Sequence, residues 1–145
     1  MCTSFKGELL TGTHNFGTGV VRASTAADTF KAALYLASAT IDASTTAYTA
    51  TGEVSGTGYS AGGVTVTFGT APSTSGTTAF VTPSASITYS SVTLSTAFDC
   101  VLIYNSTQSN KAVSVHTFGS QTVTAGTFTL TMPTNDASTG LIRLT

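Results

Sequence analysis

Two histidines, six carboxylates and two cysteines are nearly all the chemistry this chain offers, beside a wealth of serine and threonine hydroxyls. A hydroxyl becomes a nucleophile only with a base in hydrogen-bond reach. The arrangement the residue types permit is a Ser–His–Asp relay from Asp99, His116 and one of many serines, suited to acyl transfer. No local feature marks one serine as the nucleophile, and His116 falls in an alternating strand pattern, where a surface or core-edge histidine is expected. His14 is read as a capping or contact residue. The acids Glu8, Asp28, Asp42, Glu53, Asp99 and Asp136 never cluster, so no carboxylate pair is set for glycoside hydrolysis. Asp99 lies inside the most apolar run and must face out or find a partner. The run Asn135-Asp136-Ala137-Ser138 is too sparse for a calcium loop. The glycines of 52–63 lack the Lys-Ser/Thr and helix of a phosphate loop, and are read as tight turns or points of close backbone approach. No catalytic, cofactor-binding or metal-ligating residue is assigned; the chain is read as non-enzymatic and without a cofactor.

The composition agrees. Charged residues make up 8% of the chain, against about 25% in ordinary soluble domains. The net charge is −1, and the basic residues Lys6, Arg22, Lys31, Lys111 and Arg143 are scattered. Nucleic-acid binding needs a basic patch, so no such partner is expected. No apolar run approaches the roughly 20 residues that span a bilayer, so no membrane partner is expected either. The start carries no charged lead before an apolar stretch, which predicts synthesis and folding in a cytoplasm. Cys2 and Cys100 show no metal spacing and are expected to be free thiols, Cys2 in a loose terminus. The sequon Asn105-Ser106-Thr107 is read as a turn. The five tyrosines could form a sugar-binding surface, but there is no tryptophan, and alternating tyrosines are more often half-buried anchors.

These few groups sit on a chain patterned for strands. Its 145 residues suit one domain, divided into an N-terminal helix or arm over 1–27 and a single β domain over 28–145. Ser4 can cap a short helix with Phe5, Leu9 and Leu10 on one face. Alternation predicts strands at 28–37, 64–68, 78–82, 86–94, 98–104, 112–118, 121–124, 127–132 and 141–144. The broken period between Tyr89 and Val92 predicts a bulge at Ser90-Ser91. The segment 69–76 reads as a turn region, 105–110 as a polar turn and Ala125-Gly126 as a hairpin. The stretch 38–63 is unusually long for a loop and is expected to be functional or externally packed. About eight short antiparallel strands at this spacing predict an all-β, jelly-roll-like sandwich or barrel.

Three stretches carry a resemblance. They are Ser4-Phe5-Lys6-Gly7-Glu8-Leu9-Leu10 through His14-Asn15-Phe16, then Asp28-Thr29-Phe30-Lys31-Ala32-Ala33-Leu34-Tyr35, then Gly52-Glu53-Val54-Ser55-Gly56-Thr57-Gly58-Tyr59-Ser60-Ala61-Gly62-Gly63. In this order, with Gly126-Thr127-Phe128-Thr129-Leu130 and Leu141-Ile142-Arg143 near the end, they resemble small structural proteins of tailed bacteriophages. That group includes capsid cement, or decoration, proteins of β jelly-roll type. The chain departs from the pattern at 17–27 and in the Val-Thr-rich strand after Gly63.

The resemblance implies a virion protein on the outer face of the capsid, made in the host bacterial cytoplasm, that bridges neighbouring major capsid subunits. Its partners would be the major capsid protein and itself, with a homodimer favoured over a trimer. The expected contact residues are Phe5, Leu9, Leu10 and Phe16 of the arm and Tyr48, Val54 and Tyr59 of the long loop; the alternative is that these side chains close the ends of the fold. Two other roles compete: a phage tail or head–tail structural protein, and a module binding bacterial-surface carbohydrate.

Overall fold

The structure is a computed structural model and describes Cys2, Thr13, His14, Phe16, Gly17 and residues 27–145. The expected helix with Phe5, Leu9 and Leu10 lies outside these residues. The described chain is all-β, in two antiparallel sheets. Seven strands run in order: β1 (Phe30–Leu36), β2 (Val64–Val66), β3 (Ser73–Ser75), β4 (Thr78–Val81), β5 (Ile87–Asn105), β6 (Lys111–Leu130) and β7 (Ile142–Leu144). The larger sheet has the order β2-β1-β5-β6 and the smaller β3-β4-β7.

The hairpin of β5 and β6 is the backbone of the fold. The sequence divides it into five short strands; the structure joins them into two strands of 19 and 20 residues. Breaks in the hydrophobic period mark bulges rather than strand ends. The register slips between Tyr89 and Val92 as expected, and Ser91 takes a positive φ of 54°. Ala125-Gly126 is not a hairpin turn. Ala125, with φ 45°, is an extra residue inside β6, and the chain continues in the same direction to Leu130. A left-handed residue supports either a turn or a bulge, so local composition leaves the two indistinguishable. The true turn is the polar segment after Asn105, where Ser109 and Asn110 take positive φ. The segment 69–76 hides β3, whose three residues are all exposed and show no apolar alternation.

Burial follows position in the sheet. β1 and the second half of β5 are central strands, and Phe98, Cys100, Val101, Leu102, Ile103, Tyr104 and Asn105 are all buried. One face of this sheet packs on the aromatic trio Phe16, Phe30 and Phe68, with centroids 4.9 to 5.1 Å apart. Val81 and Ile142 of the small sheet join the same core. Cys2 is not in a loose terminus: it is 0% exposed and its N–H donates to Val113 O at 3.2 Å. Both cysteines are free thiols.

Candidate functional site

The long loop before β2 is a strap fastened to three strands. Val54 N–H donates to Leu34 O and Leu36 N–H to Gly52 O, tying it to the edge of β1. Thr93 N–H donates to Thr57 O, which ties it to β5. Tyr48 N–H bonds to Asn110 O and Ala112 N–H to Thr46 O, which ties it to the turn and the start of β6. The glycines make this approach feasible. A Cβ on Gly56 would stand 2.0 Å from Thr93 O, and one on Gly63, at φ +72°, 1.7 Å from Ala32 O. The expectation of close backbone approach therefore holds.

Glu53 is the knot of the strap. Its Oε2 accepts from the Tyr48 hydroxyl, and its Oε1 from the Tyr59 hydroxyl and from Gly62 N–H, each at 2.7 Å. All five tyrosines gather in this region. Tyr104 donates to Gly62 O at 2.8 Å, Tyr35 to Thr49 O at 2.6 Å and Tyr89 to Ala32 O at 2.9 Å. Tyr48 stacks on Tyr104 at 4.8 Å and Tyr59 on Tyr89 at 5.9 Å. Burial, followed by the bond to Glu53, pushes the Tyr48 hydroxyl up to about 12. Tyr35, Tyr59 and Tyr89 are raised further, chiefly by burial. These rings face Glu53, the strap and one another, so they offer no open aromatic platform for a sugar.

A second knot lies at Asn105, the last residue of β5. Asn105, fully buried, accepts at Oδ1 from Thr107 N–H and Gln108 N–H, both at 3.1 Å. That fixes the amide orientation. Its Nδ2 donates to Asp28 Oδ2 at 2.7 Å and to His14 Nδ1 at 3.0 Å. His14 therefore presents Nδ1 as an acceptor, in the tautomer protonated at Nε2. This amide joins His14 and Asp28 to the polar turn, and the expected contact role of His14 is an internal one.

The groups weighed for catalysis are not assembled. His116 sits beside Ser114, with Nε2 2.9 Å from its Oγ, and burial holds its pKa below the ordinary value. Asp99 is half-exposed, and no bond among the described residues pairs it with His116 or a cation. An apolar cavity of about 160 Å³ adjoins His116, lined among others by Ile87, Val101, Ile103 and Met132. It is just large enough for a benzene-sized guest, but it holds no carboxylate or second base. Gly58-Tyr59-Ser60-Ala61-Gly62 spells the G-x-S-x-G pattern, which the sequence reading passed over. Here Ser60 lies in a turn closed by Gly63 N–H on its carbonyl; no helix follows, and both histidines are engaged elsewhere. Among the described residues no group of three His, Cys, Asp or Glu could hold a metal.

The expected contact residues divide as follows. Phe5, Leu9 and Leu10 lie outside the described residues. Phe16 and Val54 are 4% exposed and belong to the core. Tyr48 and Tyr59 are half-buried with both hydroxyls on Glu53. Within the chain these four side chains are engaged in the core or on Glu53. The outward side of the strap is instead Ser55, Gly56, Thr57, Gly58, Ser60 and Ala61, all exposed and uncharged. Sequence patterning points to apolar side chains and so misses them.

No family model, curated protein or solved structure matches this chain.

Proposed function

We propose that this chain is a non-enzymatic structural protein of a tailed-phage virion, a cement protein that binds the outer face of the capsid and bridges neighbouring major capsid subunits. The observation that carries this reading is where the charges are. Of the charged residues described, only Asp42 and Arg143 are exposed; Asp28, Lys31, Glu53, Asp99, Lys111 and Asp136 are half-buried. The remaining surface is mostly threonine, serine, glycine and alanine. Such a surface can be covered by a neighbour without stripping water from ions, the costly part of burying charge. Glu53 is spent on holding the strap, and His14 and Asp28 on holding the polar turn. The resemblance of the three sequence stretches to phage structural proteins supports the same reading. The two antiparallel sheets support a jelly-roll-like sandwich as its architecture.

In this role the strap and the sheets form a rigid plate, and many copies repeated over a shell multiply a modest contact energy. Binding the assembled shell and not its free subunits stabilises the shell by mass action. The strap meets the neighbour through Ser55, Thr57 and Ser60 rather than through Tyr48, Val54 and Tyr59. The test is co-sedimentation of the purified chain with shells that lack it. Saturable binding to assembled shells and a raised shell melting temperature are expected. Binding to isolated tails, or to bacterial-surface saccharide with none to shells, would replace the reading with one of its two competitors.

A further inference from the structure

β6 is the outer strand of the larger sheet, and the described residues leave most of its outer edge open. Thr46 and Cys2 cover its first residues, at Ala112 and Val113. From residue 114 to 130 no backbone bond from the other described residues reaches this strand outside the hairpin ladder. Gly119 O accepts from the Gln121 amide of its own strand at 3.0 Å. Thr117, Gly119, Ser120, Gln121, Thr122, Thr124, Thr127 and Thr129 are exposed. Edges this long are normally blunted by lysine, proline or an inward charge. The run from Ala112 to Leu130 contains no Lys, Arg, Asp, Glu or Pro.

We propose that this edge pairs with the same edge of a second copy, antiparallel about a two-fold axis at Thr122. Charge selects the occupant. An edge without charge gives a charged strand no counter-ion and leaves its ions desolvated. The strand that fits is itself uncharged and rich in threonine and valine, and β6 of another copy is such a strand. Two identical charged edges would repel; two identical neutral ones do not.

The bulges select the register. β6 carries extra residues between Thr117 and Gln121 and again at Ala125. Centred on Thr122, the pair sets Gly119 of one copy opposite Ala125 of the other, so the bulges face each other and the regular stretches align. The paired edge is about 50 Å long at roughly 3.3 Å per residue. With a depth of roughly 10 Å it covers about 500 Å² a side, against about 800 Å² in a standard stable interface. The dimer is therefore weak and concentration-dependent. This inference stands on the edge alone and does not depend on the shell reading.

The test is sedimentation velocity on the full chain over a range of concentrations, with Thr122→Lys, Thr122→Glu and, as control, Thr88→Lys on the exposed face of the inner strand β5. The unaltered chain should pass from monomer to dimer in the micromolar range. Each Thr122 variant places a charge against its own copy and should weaken the dimer at least about tenfold; an equal mixture of the two should restore it. Thr88→Lys should dimerise like the unaltered chain. Amide exchange of the unaltered chain should slow at residues 114–130 on concentration and stay unchanged in β2, a readout that needs no variant to fold. A chain monomeric up to about 1 mM, exchange at 114–130 indifferent to concentration, or an oligomer that survives both Thr122 variants overturns the proposal, the last by assigning assembly to another surface.

Discussion

Glu53 accepts three hydrogen bonds at 2.7 Å from groups that have left water to make them. Removing a buried acceptor costs more than the bond it made, because the donors lose their partners as well. Glu53→Ala should therefore lower unfolding free energy by about 2–4 kcal/mol, read by urea denaturation, with the far-ultraviolet spectrum still that of a β protein. A change below about 0.5 kcal/mol would mean that the strap is held by its backbone bonds alone. The tyrosines and the Cys100 thiol set the alkaline limit of stability. The Tyr48 hydroxyl is raised from 10.0 to about 12, so the unfolded chain gives up this proton first. Its contribution is fully present below pH 10 and lost as pH rises toward 12. His116 sets an acid limit: burial lowers its pKa below 6.5, so the unfolded chain takes up the proton first. That contribution is present above pH 6.5 and lost as pH falls. Burial likewise raises the Cys100 thiol from 9.0 to about 11, so stability measured across pH should show a plateau between about 6.5 and 9 that declines on both sides. A maximum on the alkaline side of 10 would contradict the burial of the tyrosines.

The strap owes its course to glycine. Gly63→Ala places a Cβ 1.7 Å from Ala32 O at a φ of +72° and should cost about 3 kcal/mol or more. At Gly119 a Cβ meets nothing within 4 Å, and Gly119→Ala should be neutral or stabilising by up to about 1 kcal/mol. Thermal melts of the two variants side by side decide whether close approach, and not glycine content, is what the sequence encodes. Much at this scale was legible in advance. Alternation located β1, β2 and β4, the apolar run at Phe98 located the centre of the sheet, and the broken period at Tyr89 located the first bulge. What escaped was long-range. One 20-residue strand with bulges and two strands with a turn carry the same local signals at Ala125, and only pairing with β5 separates them. β3 has no apolar face to announce it. The Glu53 knot escaped for another reason: its donors Tyr48, Tyr59 and Gly62 all lie on the strap, but in irregular backbone, where no period 2 or 3.6 shows which side chains meet. Phe16 packs on Phe30 and Phe68 and Tyr48 and Tyr59 bond Glu53, contacts that apolar side chains in irregular backbone do not announce in the sequence.

At the scale of the molecule the dominant property is neutrality. In the proposed role, attachment to a shell through hydroxyls and backbone would have no large Coulombic part, so it should change less than about threefold between about 0.05 and 1 M salt, a range in which the screening length falls to about 3 Å. Cosedimentation at the two extremes checks this, and a loss of binding in high salt would point to an ionic interface that the described surface lacks. The most direct test of the whole account is quantitative mass spectrometry of purified particles separated into heads and tails, with this chain counted against the major capsid protein. The account predicts that the chain is found on heads at a copy number comparable with that of the major capsid protein. A few copies confined to tails, or none in the particle, would contradict it.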